Sequence, residues 1–136
     1  MDMKNCIFCK IIKEKKLASI IYENDKVICF LPKKLEVYGH TLIVPKKHYT
    51  DLYNMPEDIL CDLIKVTKKL TLFYKKKINA TGMNLMHASG VDGQQSIFHF
   101  HFHLLPRFKN DNLDTWPNLP KIKIDKNELF KKLSLK

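Results

Sequence analysis

Apolar residues recur at Ile59, Leu63, Val66, Leu70 and Phe73, in steps of four and three. That is the period of one helical face. It predicts a helix over Asn54–Lys77, with Asn54 as N-cap, Glu57 completing a capping box and Pro56 tolerated in the first turn. Elsewhere the pattern is extended. Ile20–Glu23 and Lys26–Leu31 flank the turn signal Asn24-Asp25 and predict a hairpin. His40–Pro45 is rich in β-branched residues, Met83–Met86 follows Thr81-Gly82, and Ile97–Leu105 alternates until Pro106 closes it. Residues 6–13 predict a short helix with the stripe Ile7, Phe8, Ile11 and Ile12, and a second short helix is expected near Asn127–Leu133. Extended runs joined by hairpins, with one long helix between strand groups, imply an α+β domain with a mostly antiparallel sheet of five strands. The 136 residues carry no repeat or linker and read as one domain over 1–136, with its core at about 5–108 and a tail at 109–136.

Composition narrows the setting. Hydrophobic residues make up 45% of the chain, enough for a core, yet no apolar run approaches the roughly 20 residues of a membrane span. Met1–Lys10 has no secretory pattern, and a cytoplasmic protein is expected. The net charge is +10, but Arg107 is the sole arginine. Sequence-specific nucleic-acid readers use the planar arginine fork, so no specific nucleic-acid partner is expected. The scattered lysines give a solvated surface whose summed field draws anionic substrates. Reduced cysteines suit a cytoplasm. Cys29 and Cys61 read as small core residues. The Cys6-x-x-Cys9 pair admits three readings: a redox pair, two core thiols, or half of a zinc site.

The run Phe98-His99-Phe100-His101-Phe102-His103-Leu104 carries the most information. With a period of two, three imidazoles share one face and the aromatic residues the other. The aromatic face packs into a core. The imidazole face admits a solvated strand side, a metal site using two or three rings, or an acid–base or nucleophilic site, since imidazole titrates near neutrality. Gln95 and Ser96, with backbone N–H groups of the preceding glycine-containing loop, can hold phosphate oxygens.

His99-x-His101-x-His103-Leu104-Leu105 resembles the signature of the histidine triad family of nucleotide hydrolases and transferases. Cys6-Ile7-Phe8-Cys9-Lys10-Ile11-Ile12 resembles its N-terminal segment, and Gly39-His40-Thr41-Leu42-Ile43-Val44-Pro45-Lys46-Lys47-His48 its central strand. The resemblance implies that His101 attacks the α-phosphorus of a nucleoside phosphoramidate or dinucleoside polyphosphate. A nucleotidyl-histidine forms, and water releases a nucleoside monophosphate. His103 then donates to phosphate oxygens, His40 or a backbone carbonyl orients His101, and His99 and Ser96 complete the catalytic set. Phe8, Ile12 and Phe30 are the implied base slot, purine preferred, with Gln95, Ser96, His101 and His103 on the phosphate. A structural zinc ion on Cys6, Cys9, His48 and His99 and a homodimer are also implied. Two other function classes stay open: a zinc-dependent hydrolase with the triad as ligands, and a nucleotide-binding regulator with little turnover.

Two positions depart from the family pattern. Pro32 stands where an Asp commonly binds the ribose hydroxyls, so ribose recognition differs. Ala88 stands where an Asn is common; its neighbour His87 is expected to face solvent, the alternative being a contact on the phosphate or leaving-group side.

Overall fold

In the computed structural model the described residues are 3–135; residues 1, 2 and 136, the ends of the expected domain, lie outside them. Five strands form one antiparallel sheet: β1 (Ser19–Glu23), β2 (Val27–Leu31), β3 (Thr41–Pro45), β4 (Gly82–Met86) and β5 (Phe102–Arg107). Their order is β1-β2-β3-β5-β4. Helices α1 (Ile7–Lys13) and α2 (Glu57–Lys77) cover the sheet, and α3 (Lys126–Leu133) follows in the tail. Among the described residues no helix is long and apolar enough to cross a membrane.

The centre of the sheet is buried on both faces, which explains why β2 and β3 read as continuous apolar runs instead of alternating. Val27, Cys29, Ile43, Phe100, Phe102 and Leu104 pack on Leu63, Val66, Leu70 and Tyr74 of α2. Ile28, Phe30, Leu42 and Val44 pack on Phe8 and Ile11 of α1, with Cys6. The two helices therefore cover opposite faces.

Several boundaries differ from the expectation for physical reasons. Helix α2 starts at Glu57 with Pro56 as N-cap, because Met55, the residue before proline, is extended. Asn54 instead serves the preceding 3-10 turn Leu52–Asn54, where it accepts the Asp51 N–H. Tyr74, not Phe73, completes the buried stripe of α2, and Phe73 is 52% exposed. The Tyr74 hydroxyl lies 2.6 Å from Thr41 Oγ1, which donates to the Gly39 carbonyl. Cys29 is buried as expected, but Cys61 is exposed on α2. Strand β5 starts at Phe102, not Ile97, and runs through Pro106. Residues 97–101 leave the ladder because their backbone groups bond elsewhere; the Phe100 N–H, for example, donates to the Tyr49 carbonyl at 2.6 Å.

Two further features frame the site. Gly39 has φ +82°, and a Cβ there would stand 2.9 Å from Pro106 Cγ, so only glycine lets the loop before β3 approach β5. Arg107 binds Asp111, Asn84, Thr115 and the Leu113 carbonyl, and so fastens the start of the tail to β4 and β5.

Phe100 has no exposed surface. Replacing it by alanine should cost about 3–5 kcal/mol, read as a lower urea midpoint at unchanged slope.

Candidate active site

The alternation of residues 99–104 survives although the ladder begins only at 102. Phe100, Phe102 and Leu104 face α2. The His101 ring meets Phe8 of α1 edge-on, with centroids 5.2 Å apart. The three imidazoles nevertheless have separate partners. His99 Nδ1 turns to Cys6, Cys9 and His48, His101 Nδ1 to the His99 carbonyl, and His103 Nδ1 to His40.

His101 is buried, and its Nδ1 lies 2.7 Å from the His99 carbonyl oxygen. A carbonyl only accepts, so Nδ1 carries the proton and Nε2 keeps a lone pair. Burial pushes the imidazole pKa down to about 4, against a smaller opposing effect of that hydrogen bond. The ring is neutral at pH 7 and presents one nucleophilic nitrogen.

His40 is aimed by its own loop. The Glu36 N–H donates to His40 Nδ1 at 3.2 Å, so the neutral ring carries its proton on Nε2. His40 Nε2 lies 2.9 Å from His103 Nδ1, which must then accept. This leaves His103 Nε2–H as an outward donor. Burial lowers the pKa of both rings. Of the two candidates for orienting His101, the backbone carbonyl does so, and His40 orients His103 instead.

An apolar groove of about 610 Å³ lies between α1 and β2, with Phe8, Ile11, Phe30, Pro32, Leu42 and Ile97 among its lining residues. Phe8 and Phe30 meet edge to face at 5.4 Å. Ile12 lies outside this groove, beside Cys9 and His48 in a neighbouring depression. The helical phase explains the difference. Ile12 is three residues from Cys9 and shares its side, whereas Ile11 is three from Phe8.

Gln95 is buried and turned inward. Its Oε1 accepts the Gly90 N–H at 2.8 Å, and its Nε2 donates to the Thr50 and Ile97 carbonyls at 2.6 and 3.1 Å. Donation from this side chain to phosphate would break one of these bonds. Ser96, next in the chain, is exposed. His87 does not face solvent as expected: it is half-buried and stacked on Phe100 at a centroid distance of 4.3 Å. Its burial was hidden because an isolated histidine next to Ala88 carries no periodic signal.

Cys6, Cys9, His48 and His99 bring four donor atoms within 4.8 Å of one another. His99 Nδ1 is 3.3 Å from Cys6 Sγ, 3.6 Å from Cys9 Sγ and 3.1 Å from His48 Nδ1; Cys9 Sγ is 3.4 Å from His48 Nδ1. A tetrahedral ion bonded at about 2.3 Å to sulfur and about 2.05 Å to nitrogen would space its ligands roughly 3.4–3.8 Å apart. His99 Nε2–H donates to the Pro45 carbonyl at 2.8 Å, which keeps the proton on Nε2 and leaves Nδ1 a bare lone pair. The donor set fits a metal ion. Among the described residues, His99 is the one triad member in this cluster, so the three rings do not converge on a shared ion.

The HIT domain family model matches residues 13–110. An uncharacterized HIT-like protein of Methanocaldococcus jannaschii is 43% identical over 78% of this chain and 81% of its own length. An adenosine 5′-monophosphoramidase of Candida albicans is 39% identical over 76% of this chain and 70% of its own. The crystal structure of a zinc-bound histidine triad family protein from Mycobacterium smegmatis superposes with a TM-score of 0.79 at 29% identity, covering 84% of this chain and 83% of that one.

The depressed His101 pKa has a thermodynamic consequence. Between pH 6.5 and about 4 the unfolded chain takes up this proton and the native protein does not, so the contribution to stability falls as pH drops through that window. In NMR titrations the His101 ring should reach only about a tenth of its protonation shift between pH 8 and pH 5, a range in which an ordinary imidazole titrates almost fully.

Proposed function

The chain belongs to the HIT domain family, and on that premise we propose that it is a nucleotide hydrolase acting through a nucleotidyl-His101 intermediate. The observation that carries this reading is the 2.7 Å bond from His101 Nδ1–H to the His99 carbonyl. It holds a neutral imidazole with its Nε2 lone pair aimed away from the backbone. The substrate is a nucleoside phosphoramidate or, second to it, a dinucleoside polyphosphate. The relative named as an adenosine 5′-monophosphoramidase supports the first.

In the first step His101 Nε2 attacks the α-phosphorus. The bond from phosphorus to the leaving nitrogen or oxygen breaks, and the leaving atom takes its pair and a proton from water. The adduct ring is cationic, and the His99 carbonyl stabilises it through Nδ1–H. In the second step water attacks phosphorus and gives one proton to the hydroxide left by the first step, the phosphorus–Nε2 bond breaks, and its electron pair returns to His101. His103 Nε2–H, fixed as a donor by His40, stabilises charge on the phosphate oxygens in both steps. Ser96 and the backbone beside it contact the phosphate. The apolar groove of Phe8 and Phe30 takes the base, a purine by size.

Zinc is the ion we assign to Cys6, Cys9, His48 and His99. Four protein ligands leave no open coordination position, so the ion is structural. Burial and the neighbouring Cys6 push the Cys9 thiol up to about 11 without a cation, so loading releases protons and weakens in acid. Thiols that must stay reduced to hold it fit a cytoplasmic setting. A two-fold homodimer, common among small enzymes, completes the reading.

Protein mixed with adenosine 5′-phosphoramidate and quenched in denaturant should carry a nucleotidyl group on His101, located by peptide mass spectrometry. His101→Ala should form no adduct and lose turnover by about 10⁴-fold or more; turnover equal to the parent rejects the assignment. Metal analysis of protein purified without chelator should give one zinc per chain, retained in His101→Ala and lost in Cys9→Ser.

A further inference from the structure

The β4–β5 ladder ends abruptly beside His101. Its register pairs Gly82 with Arg107 and advances one for one to Met86 with His103. Carried on, it would set Ala88 opposite His101. The chain instead departs into the 88–95 loop, and the His101 carbonyl is taken by a side chain: His87 Nδ1 lies 2.9 Å from it.

The tautomer of His87 is set from its other end. The Leu52 N–H donates to Ser89 Oγ at 2.9 Å, so this oxygen already accepts one bond, and its own hydrogen is free to donate to His87 Nε2, 2.6 Å away. Nε2 then accepts, Nδ1 carries the proton, and that proton points at the His101 carbonyl. Stacking on Phe100, with an interplanar angle of 26°, and edge contact with Phe102 fix the plane of the ring. These contacts lie on the α2 face of the sheet, whereas the His101 ring meets Phe8 on the α1 face.

We infer that His87, with Ser89, is a positioning residue for His101, acting through the backbone and not on the substrate. The peptide units around His101 leave the ladder and would otherwise lack a fixed direction. Three bonds outside the ladder hold them: Phe100 N–H to the Tyr49 carbonyl, His101 Nδ1–H to the His99 carbonyl, and His87 Nδ1–H to the His101 carbonyl. The first anchors the residue before the nucleophile, the second sets its ring, and the third anchors the peptide after it. The inference rests on His101 being the nucleophile.

The test compares His87→Phe, which keeps the stack and removes the donor, with His87→Gln, which restores a donor, and Ser89→Ala, which releases the tautomer. Turnover of adenosine 5′-phosphoramidate should fall about 10²-fold in kcat for His87→Phe, with KM within about twofold and the CD spectrum unchanged. His87→Gln should recover at least about tenfold of this loss, and Ser89→Ala should fall between. Nitrogen-15 spectra of the parent protein should show His87 protonated on Nδ1. Unchanged kcat in His87→Phe, equal losses in His87→Phe and His87→Gln, or protonation on Nε2 would each overturn the inference. Absence of the nucleotidyl adduct in the parent sinks the nucleophile reading and this inference together; an adduct in the parent with unchanged kcat in His87→Phe sinks the inference alone.

Discussion

Phe100 is the pivot of the molecule. Its ring has no exposed surface and packs against α2, so the residues on either side of it are forced to the opposite face of the sheet. That one packing decision delivers His99 to the cysteine cluster and His101 to Phe8. Burying an aromatic ring contributes a few kcal/mol, more than any single hydrogen bond in the site. The imidazoles take their bonds within an orientation that the core has already chosen.

Placing so many imidazoles together in a chain of net charge +10 would be unfavourable if they were charged. Burial removes the difficulty by lowering the pKa of His40, His99, His101 and His103 together. Each neutral ring then needs a donor and an acceptor assigned to its two nitrogens, because a buried unpaired polar atom costs about 1–3 kcal/mol. Backbone groups make those assignments. The Glu36 N–H fixes His40 and through it His103, the His99 carbonyl fixes His101, and the Pro45 carbonyl fixes His99. Proton positions in the site therefore follow from the course of the main chain.

Much of this was legible in the residue pattern. The alternation of Phe and His told the two faces apart, the steps of three and four located α2, and the two turn residues after Glu23 located the first hairpin. The start of β5 and the burial of His87 were misread because tertiary bonding overrides local pattern, whereas Asn54 and Cys61 were misread for local reasons. Alternation runs back to Ile97, but the Phe100 N–H goes to Tyr49, so the ladder cannot start there. Asn54 and Glu57 have capping-box spacing, but Pro56 forces Met55 out of helical geometry. Gln95, expected on the phosphate, has its amide bonded to Gly90, Thr50 and Ile97. Cys61 looks like a core thiol by type, yet falls on the exposed side of α2. His87 gave no signal, since its partner is a carbonyl 14 residues away.

Helix α1 joins the cluster to the groove, and its phase decides how. Cys6 is its N-cap and accepts the Cys9 N–H, so both sulfurs lie at one end and on one side. With 3.6 residues per turn, this rotation puts Phe8 and Ile11 on the side that lines the groove. The helix has only seven residues, too few to be stable without tertiary partners. Its position is held by its apolar contacts with the sheet and by the Cys6 and Cys9 contacts to His99 and His48. Phe8 in turn touches both Phe30 and His101. Loosening the cysteine end would therefore shift the groove wall and the packing of the His101 ring together, since one short rigid element carries both.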